Sequence, residues 1–163
     1  MAVKKILTFP EAGHVLKAVS QPARLDDLQL PALLQDLADT MLSLPQAVGL
    51  AAPQIGVLQR VFVLKKEYMR ERLTPAYDQR TGPVLYFINA KIISTKGVIR
   101  EGEGCLSLPG TGLRLARARV VKVRAYNEKG EQFYERFEGL AARAIQQEID
   151  HLDGVLIIDR EAT

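Results

Sequence analysis

The sequence predicts one α+β domain, and three observations carry that prediction. Several short stretches show strand-like apolar character, one early and one late stretch show helical periodicity, and a single helix-borne cluster of chemistry-bearing residues falls near the end. At 163 residues the chain can bury a core without disulfides. With 47% hydrophobic and 25% charged residues it has the composition of an ordinary globular domain. No repeat or low-complexity segment divides it, so residues 1–163 are read as one domain.

The first helix is expected from Leu30 to Leu44. Pro31 suits a first helical turn, Leu34, Leu37, Met41 and Leu44 form one stripe, and Pro45 stops it. Ala47 to Gly56 is rich in small residues and lets backbone pass close to a neighbour. Arg60 to Leu64 is a strand of high β-propensity. The charged stretch from Lys65 to Thr81 reads as a surface excursion. Val84–Ile88 and Ala90–Ser94 read as two further strands, followed by a turn at Gly102 and Gly104 and a break at Pro109-Gly110. Val121, Val123 and Ala125 alternate with Lys122 and Arg124, and Phe133, Glu135 and Phe137 with Tyr134 and Arg136. Asn127 to Gly130 supplies the turn of that hairpin. The second helix runs from Leu140 to about Leu152 and ends at Gly154.

Charge and compartment constrain the partners. The net charge of +3, from 22 basic and 19 acidic residues, is too mild to argue for stable nucleic-acid binding. The basic cluster Arg114, Arg117, Arg119, Lys122 and Arg124 reads first as solvated strand faces and second as a surface for an acidic partner or a peptide carboxylate. No apolar run is long enough to span a bilayer or to serve as a signal peptide, so no membrane partner is expected. One cysteine cannot form an internal disulfide, which points to a reducing compartment, the cytoplasm.

The chemistry concentrates in three segments. Gln147-Glu148-Ile149-Asp150-His151 lies in the late helix and resembles H-E-x-x-H, in which two histidines one turn apart share a metal and the glutamate serves its bound water. Here Gln147 occupies the first histidine position. Alone, an E-x-x-H is weak, because a histidine at a helix end often serves only the helix dipole. Glu103-Gly104-Cys105-Leu106-Ser107 places the single cysteine among glycines; thiolate and imidazole together suit zinc or ferrous iron, while a nucleophilic cysteine is the competing reading. Gln54, at the end of the small-residue segment, offers a side-chain amide to a developing oxyanion.

Together these segments resemble the three ordered motifs of the peptide deformylases: G-x-G-x-A-A-x-Q, E-G-C-x-S and H-E-x-x-H. The likeness extends from Lys5–Pro10 to Leu156–Asp159. It implies an α+β fold with mixed or antiparallel β-sheets around a central metal-site helix. It implies removal of the formyl group from the N-terminal formyl-methionine of nascent polypeptides, with one Fe2+ or Zn2+. By the resemblance Cys105 and His151 are metal ligands, with Gln147 at the degenerate third position. Glu148 is the general acid/base, and Gln54 and the Leu106 backbone N–H hold the oxyanion. Val48, Gly49, Glu103 and Gly104 face the substrate peptide, with Glu103 and Arg143 also supporting the ligands. The implied partners are N-formyl-methionyl peptides and nascent chains; contact with chains at the ribosome is then expected to be transient or to use the basic strand surface around Arg114 to Arg124.

Two departures from the motifs matter. Ala47 stands where the first motif has glycine, adding a methyl to the pocket wall or restricting the backbone. Gln147 replaces an imidazole nitrogen by a harder, weaker amide oxygen. Disturbing groups that merely support metal ligands costs about 10–100-fold, so the loss of a ligand nitrogen costs at least that. Without a firmly held ion, water keeps a pKa far above the value of about 7 that a catalytic metal gives it. The sequence therefore leaves three readings: a deformylase of reduced activity, a methionyl-peptide binding protein, or a competent enzyme carrying an introduced glutamine.

Overall fold

The computed structural model describes residues 3–69 and 82–160. Its elements are α1 (Gly13–Leu16), α2 (Leu30–Leu42), β1 (Gly49–Ala51), β2 (Val61–Lys65), β3 (Val84–Cys105), β4 (Leu108–Tyr126), β5 (Gln132–Glu138) and α3 (Leu140–Leu152), with a 3-10 turn at Ala52–Ile55. The strands form one antiparallel sheet in the order β1-β2-β3-β4-β5. The expected surface excursion falls largely on residues 70–81, outside the described residues.

The sheet is covered on both faces where β2 crosses it, and the sequence of β2 shows why. All five of its residues are buried. Val61 and Val63 face α2 and pack with Leu33, Leu37 and Met41. Phe62 and Leu64 face α3 and pack with Ala141, Ala142, Ile145 and Leu152. Alternate residues of a strand point to opposite faces, so a strand with a helix on each side is apolar from Val61 to Leu64, and the buried Lys65 at its end donates to the Leu44 carbonyl at 2.7 Å. Phe62 stacks on Phe87 of β3 with centroids 4.7 Å apart.

Helix α2 starts with Pro31 in its first turn but closes at Leu42, two residues short of the expected end. The Ser43 hydroxyl donates to the Thr40 carbonyl at 2.6 Å, and Leu44 joins the core as a half-buried residue just beyond the helix. Helix α3 has the expected bounds. Gly154 follows it at φ +73, where an added Cβ would lie 2.5 Å from the Lys17 carbonyl oxygen.

The two strands expected at 84–94 are instead one strand that continues to Cys105. Register shifts between Ile88 and Lys91 and between Ile92 and Ser94 interrupt its alternation, so the pattern imitates a strand break. At the first shift Asn89 adopts φ 54; its side chain accepts from the Ala23 N–H and donates to the Ala23 carbonyl, both at 2.8 Å. Gly102 and Gly104, expected in a turn, are paired strand residues opposite Arg114 and Gly112. The hairpin reverses at Leu106-Ser107 instead. The β4–β5 hairpin has the expected alternation, with Val123 opposite Glu135 and Val121 opposite Phe137. Among the described residues no helix is long and apolar enough to cross a membrane.

Candidate active site

Four elements converge on one cavity of about 600 Å³. Its walls come from the segment before β1 (Ala47, Val48), from β1 (Gly49), from the end of β3 with the reversal (Glu103, Gly104, Cys105, Leu106), and from α3 (Arg143, Gln147, Glu148), with Gln54 also reaching it. His151 is not a wall residue. It lies one turn deeper on α3, 1% exposed, and its Nε2 stands 3.3 Å from Cys105 Sγ. His14, the other histidine, is exposed on α1.

Glu148 owes its place to the helix that carries it. Ala141, Ile145, Glu148 and Leu152 recur at helical spacing on the buried face of α3. A carboxyl thus occupies a position that is apolar one turn before and one turn after it. Burial pushes its pKa up to about 8, the charge of Asp150 adds to the rise, and Arg117 opposes it. Its Oε2 is buried without a hydrogen-bond partner among the described residues. Close approach of β1 makes this possible. A Cβ on Gly49 would lie 2.6 Å from Leu64 Cδ2 and 3.3 Å from Glu148 Cγ. Gly49→Ala is therefore expected to displace Leu64 or Glu148 and to cost about 1–3 kcal/mol by overpacking; a melting temperature equal to that of the parent chain would show that the approach is looser than it looks.

The Cys105–His151 pair rests in its uncharged form. Burial raises the thiol to about 11, against hydrogen bonding from the Ser107 and Leu108 backbone, with the Glu148 charge adding to the rise. Burial lowers His151 to about 4. A thiol beside a neutral imidazole is not an activated nucleophile, which needs thiolate near neutral pH. Gln54 is fixed at both ends. Its Oε1 accepts from the Ala51 N–H at 3.0 Å, and its Nε2 donates to Ser107 Oγ at 3.2 Å with Cys105 Sγ at 3.9 Å.

Behind the cavity lies a buried ionic network that the charge pattern alone hides. Arg117 grips Glu103 with two bonds of 2.9 and 2.8 Å and donates to Asp150 at 2.6 Å. Asp150 also accepts two bonds from Arg160, at 2.6 and 2.7 Å. Arg117 is only 4% exposed, so its expected place on a solvated strand face is corrected. Its parity with Leu115, Val121 and Val123, all buried, was the available signal. Arg143 donates to the Gly102 carbonyl at 2.6 Å and lies 3.9 Å from Glu103. Ser107, fully buried under Gln54, is visible as the last letter of E-G-C-x-S, but its part in holding Gln54 is seen only in the fold. Ala47 is also buried, its methyl packed in the α2-side core.

The donor set can be tested against a metal ion. An ion about 2.3 Å from sulfur and about 2.0 Å from nitrogen, at a tetrahedral angle, sets those donors about 3.5 Å apart, and Cys105 and His151 meet that condition. The third position does not. The Gln147 amide nitrogen donates to Glu103 Oε1 at 3.0 Å and to the Gly104 carbonyl at 3.2 Å, which leaves a neutral amide oxygen as the one atom Gln147 could offer an ion. Among the described residues no group of three His, Cys, Asp or Glu side chains could hold an ion. Two strong donors and a hard, weak amide oxygen do not fit a firmly bound Fe2+ or Zn2+.

Comparison with known proteins gives a consistent picture. The family model described as polypeptide deformylase matches residues 3–163. A peptide deformylase of Clostridium botulinum is 41% identical over 160 residues, covering 98% of this chain and 97% of that protein. Peptide deformylase 1 of Bacillus subtilis is 40% identical over 160 residues, covering 98% and 91%. The crystal structure of the peptide deformylase from Thermotoga maritima superposes with a TM-score of 0.82 at 34% identity, covering 100% of both chains. A class I type b peptide deformylase from Acinetobacter baumannii, with Met-Ala-Ser bound, gives 0.81 at 29% identity, covering 98% and 99%.

Proposed function

The chain belongs to the polypeptide deformylase family, and from that premise we propose that it acts on N-formyl-methionyl peptides, including nascent chains, by hydrolysing the formyl amide at a reduced rate. The observation that carries the reading is the buried Glu148 carboxyl, its Oε2 without a hydrogen-bond partner among the described residues, beside the converged Cys105–His151 pair at a cavity that also receives the Gln54 amide. Glu148 holds and moves the proton. The Gln54 amide and the Leu106 N–H are assigned to the oxyanion, and Val48, Gly49, Glu103 and Gly104 to the peptide. One Fe2+ or Zn2+ would be held weakly, by Cys105 and His151. We assign residues 1–163 to a single domain acting in the cytoplasm.

A second reading, a methionyl-peptide binding protein with little turnover, is favoured by the engagement of Gln147 with Glu103 and Gly104. The deciding experiment measures bound metal and formate release from a formyl-Met peptide, for this chain and for Gln147→His. The hydrolase reading expects both to release formate, with the histidine variant at least about tenfold faster and richer in metal. Formate from the histidine variant alone supports the binding reading or that of an introduced glutamine in a competent enzyme; metal and formate from neither removes the deformylase reading of the site.

A further inference from the structure

One buried cation has no part in the chemistry described above. Lys65 ends β2, and strand alternation puts it on the α2 face after Val61 and Val63. It is 5% exposed. Among the described residues its ammonium meets no carboxylate; it donates to the Leu44 carbonyl at 2.7 Å and to the Pro45 carbonyl at 3.3 Å. Two neutral carbonyls offset less of the cost of burying a cation than a carboxylate does, so an apolar side chain would serve this face of the core better.

What the ammonium holds is a turn. The Ala47 N–H donates to the same Leu44 carbonyl, at 3.1 Å, and closes Leu44-Pro45-Gln46-Ala47 as a four-residue turn. Helix α2 ends just before it and has no basic residue in its last turn, so Lys65 also supplies the cation that the negative end of a helix favours. Farther along, the Lys65 N–H donates to the Val48 carbonyl at 2.8 Å. One residue thus fastens the stretch from 44 to 48 at both ends, and between them Ala47 is packed into the core. Gln46, Ala47 and Val48 of this stretch, with the Gly49 that follows, form one wall of the cavity.

We propose that Lys65 is a positioning residue: by fixing the stretch from 44 to 48 it sets the wall that Val48 and Gly49 present to a methionyl peptide, and it governs peptide affinity without touching the peptide. This role rests on the assignment of Val48 and Gly49 to the peptide made above. A wall released from its clamp samples other positions, and only the fraction of molecules with the wall in place binds. A residue kept for the fold alone shows its loss in the melting temperature; a clamp on the wall shows it in binding.

Lys65→Met tests the role, because methionine has similar length and no donor. Its melting temperature is expected to hold or rise, since a buried charge is removed. Its affinity for a labelled methionyl tripeptide, measured by fluorescence anisotropy, is expected to fall at least about tenfold. Its Ala47 amide is expected to exchange with solvent deuterium faster than in the parent chain. Lys65→Arg keeps the cation and its donors and is expected to bind within about threefold of the parent. Equal affinity of the methionine variant and the parent overturns the proposal. So does a methionine variant that melts well below its parent, which would make Lys65 a residue of the fold, or an arginine variant that binds as weakly as the methionine variant. A parent chain that does not bind the tripeptide removes the methionyl-peptide reading instead; the Ala47 exchange rates then decide the clamp alone, and equal rates in parent and variant overturn it.

Discussion

Glu148→Gln is expected to lower formate release at least about 100-fold while making the metal-free protein more stable at pH 8. The stability gain follows from the buried carboxyl. Its folded pKa of about 8 lies above the ordinary 4.5, so across that interval the unfolded chain has lost the proton that the folded chain keeps. Folding stability therefore falls as pH rises from about 4.5 to about 8. Glutamine cannot ionise and escapes the loss. At about 1.4 kcal/mol per pH unit, less the desolvation cost of an unpartnered amide, a gain of about 1–3 kcal/mol remains at pH 8. That corresponds to roughly 2–10 °C in melting temperature, and it falls with pH until, near pH 4.5, only the cost of the buried amide remains and the variant is the less stable of the two. His151 titrates in the opposite sense but is common to both proteins. Melting curves at pH 5 and pH 8 on apo protein decide the matter, and a variant less stable than its parent at pH 8 would show that Glu148 is not strained by burial.

Arg117→Met is expected to be the most damaging single change away from the cavity surface. It leaves Glu103 and Asp150 buried with one of their cations removed. Breaking a buried pair costs about 3–5 kcal/mol, roughly 6–20 °C in melting temperature for a chain of this size. Arg160 still holds Asp150, and Gln147 still reaches Glu103, so the Glu103 side suffers more. Adding Glu103→Gln to the methionine variant should recover part of the loss, because the uncompensated charge is then gone. A double variant that melts at the sum of the single losses would show that the two residues do not act as a pair.

The comparison of sequence with structure separates what periodicity can convey from what it cannot. Helix α3 and the β4–β5 hairpin were legible because amphipathic alternation and turn residues agree there. Strand β3 reads as two pieces in the sequence because its bulges reset the alternation at Asn89 and Ile93, and a bulge looks like a strand end when only one chain is in view. The three motifs identified the family and the residues of the cavity. What they omit is the support behind them. Asp150 and Arg160 are ten residues apart, and Arg117 is thirty-three from Asp150; no local pattern pairs them. Gln147 was legible as a departure from H-E-x-x-H, but its engagement with Glu103 and Gly104 depends on how β3 runs past α3.

The Asp150 carboxylate also bears on when the site can exist. It joins Arg117 of β4 to Arg160, beyond α3, while Gly49, a hundred residues earlier, packs beside Glu148. Contacts so distant along the chain are late events in folding. During synthesis, which proceeds from the N-terminus, the sheet can pair strand by strand, but α3 has no anchor for Asp150 on its far side until Arg160 has left the ribosome. A deformylase-type site assembled in this way gains its full support on its own nascent chain only after Arg160 has emerged.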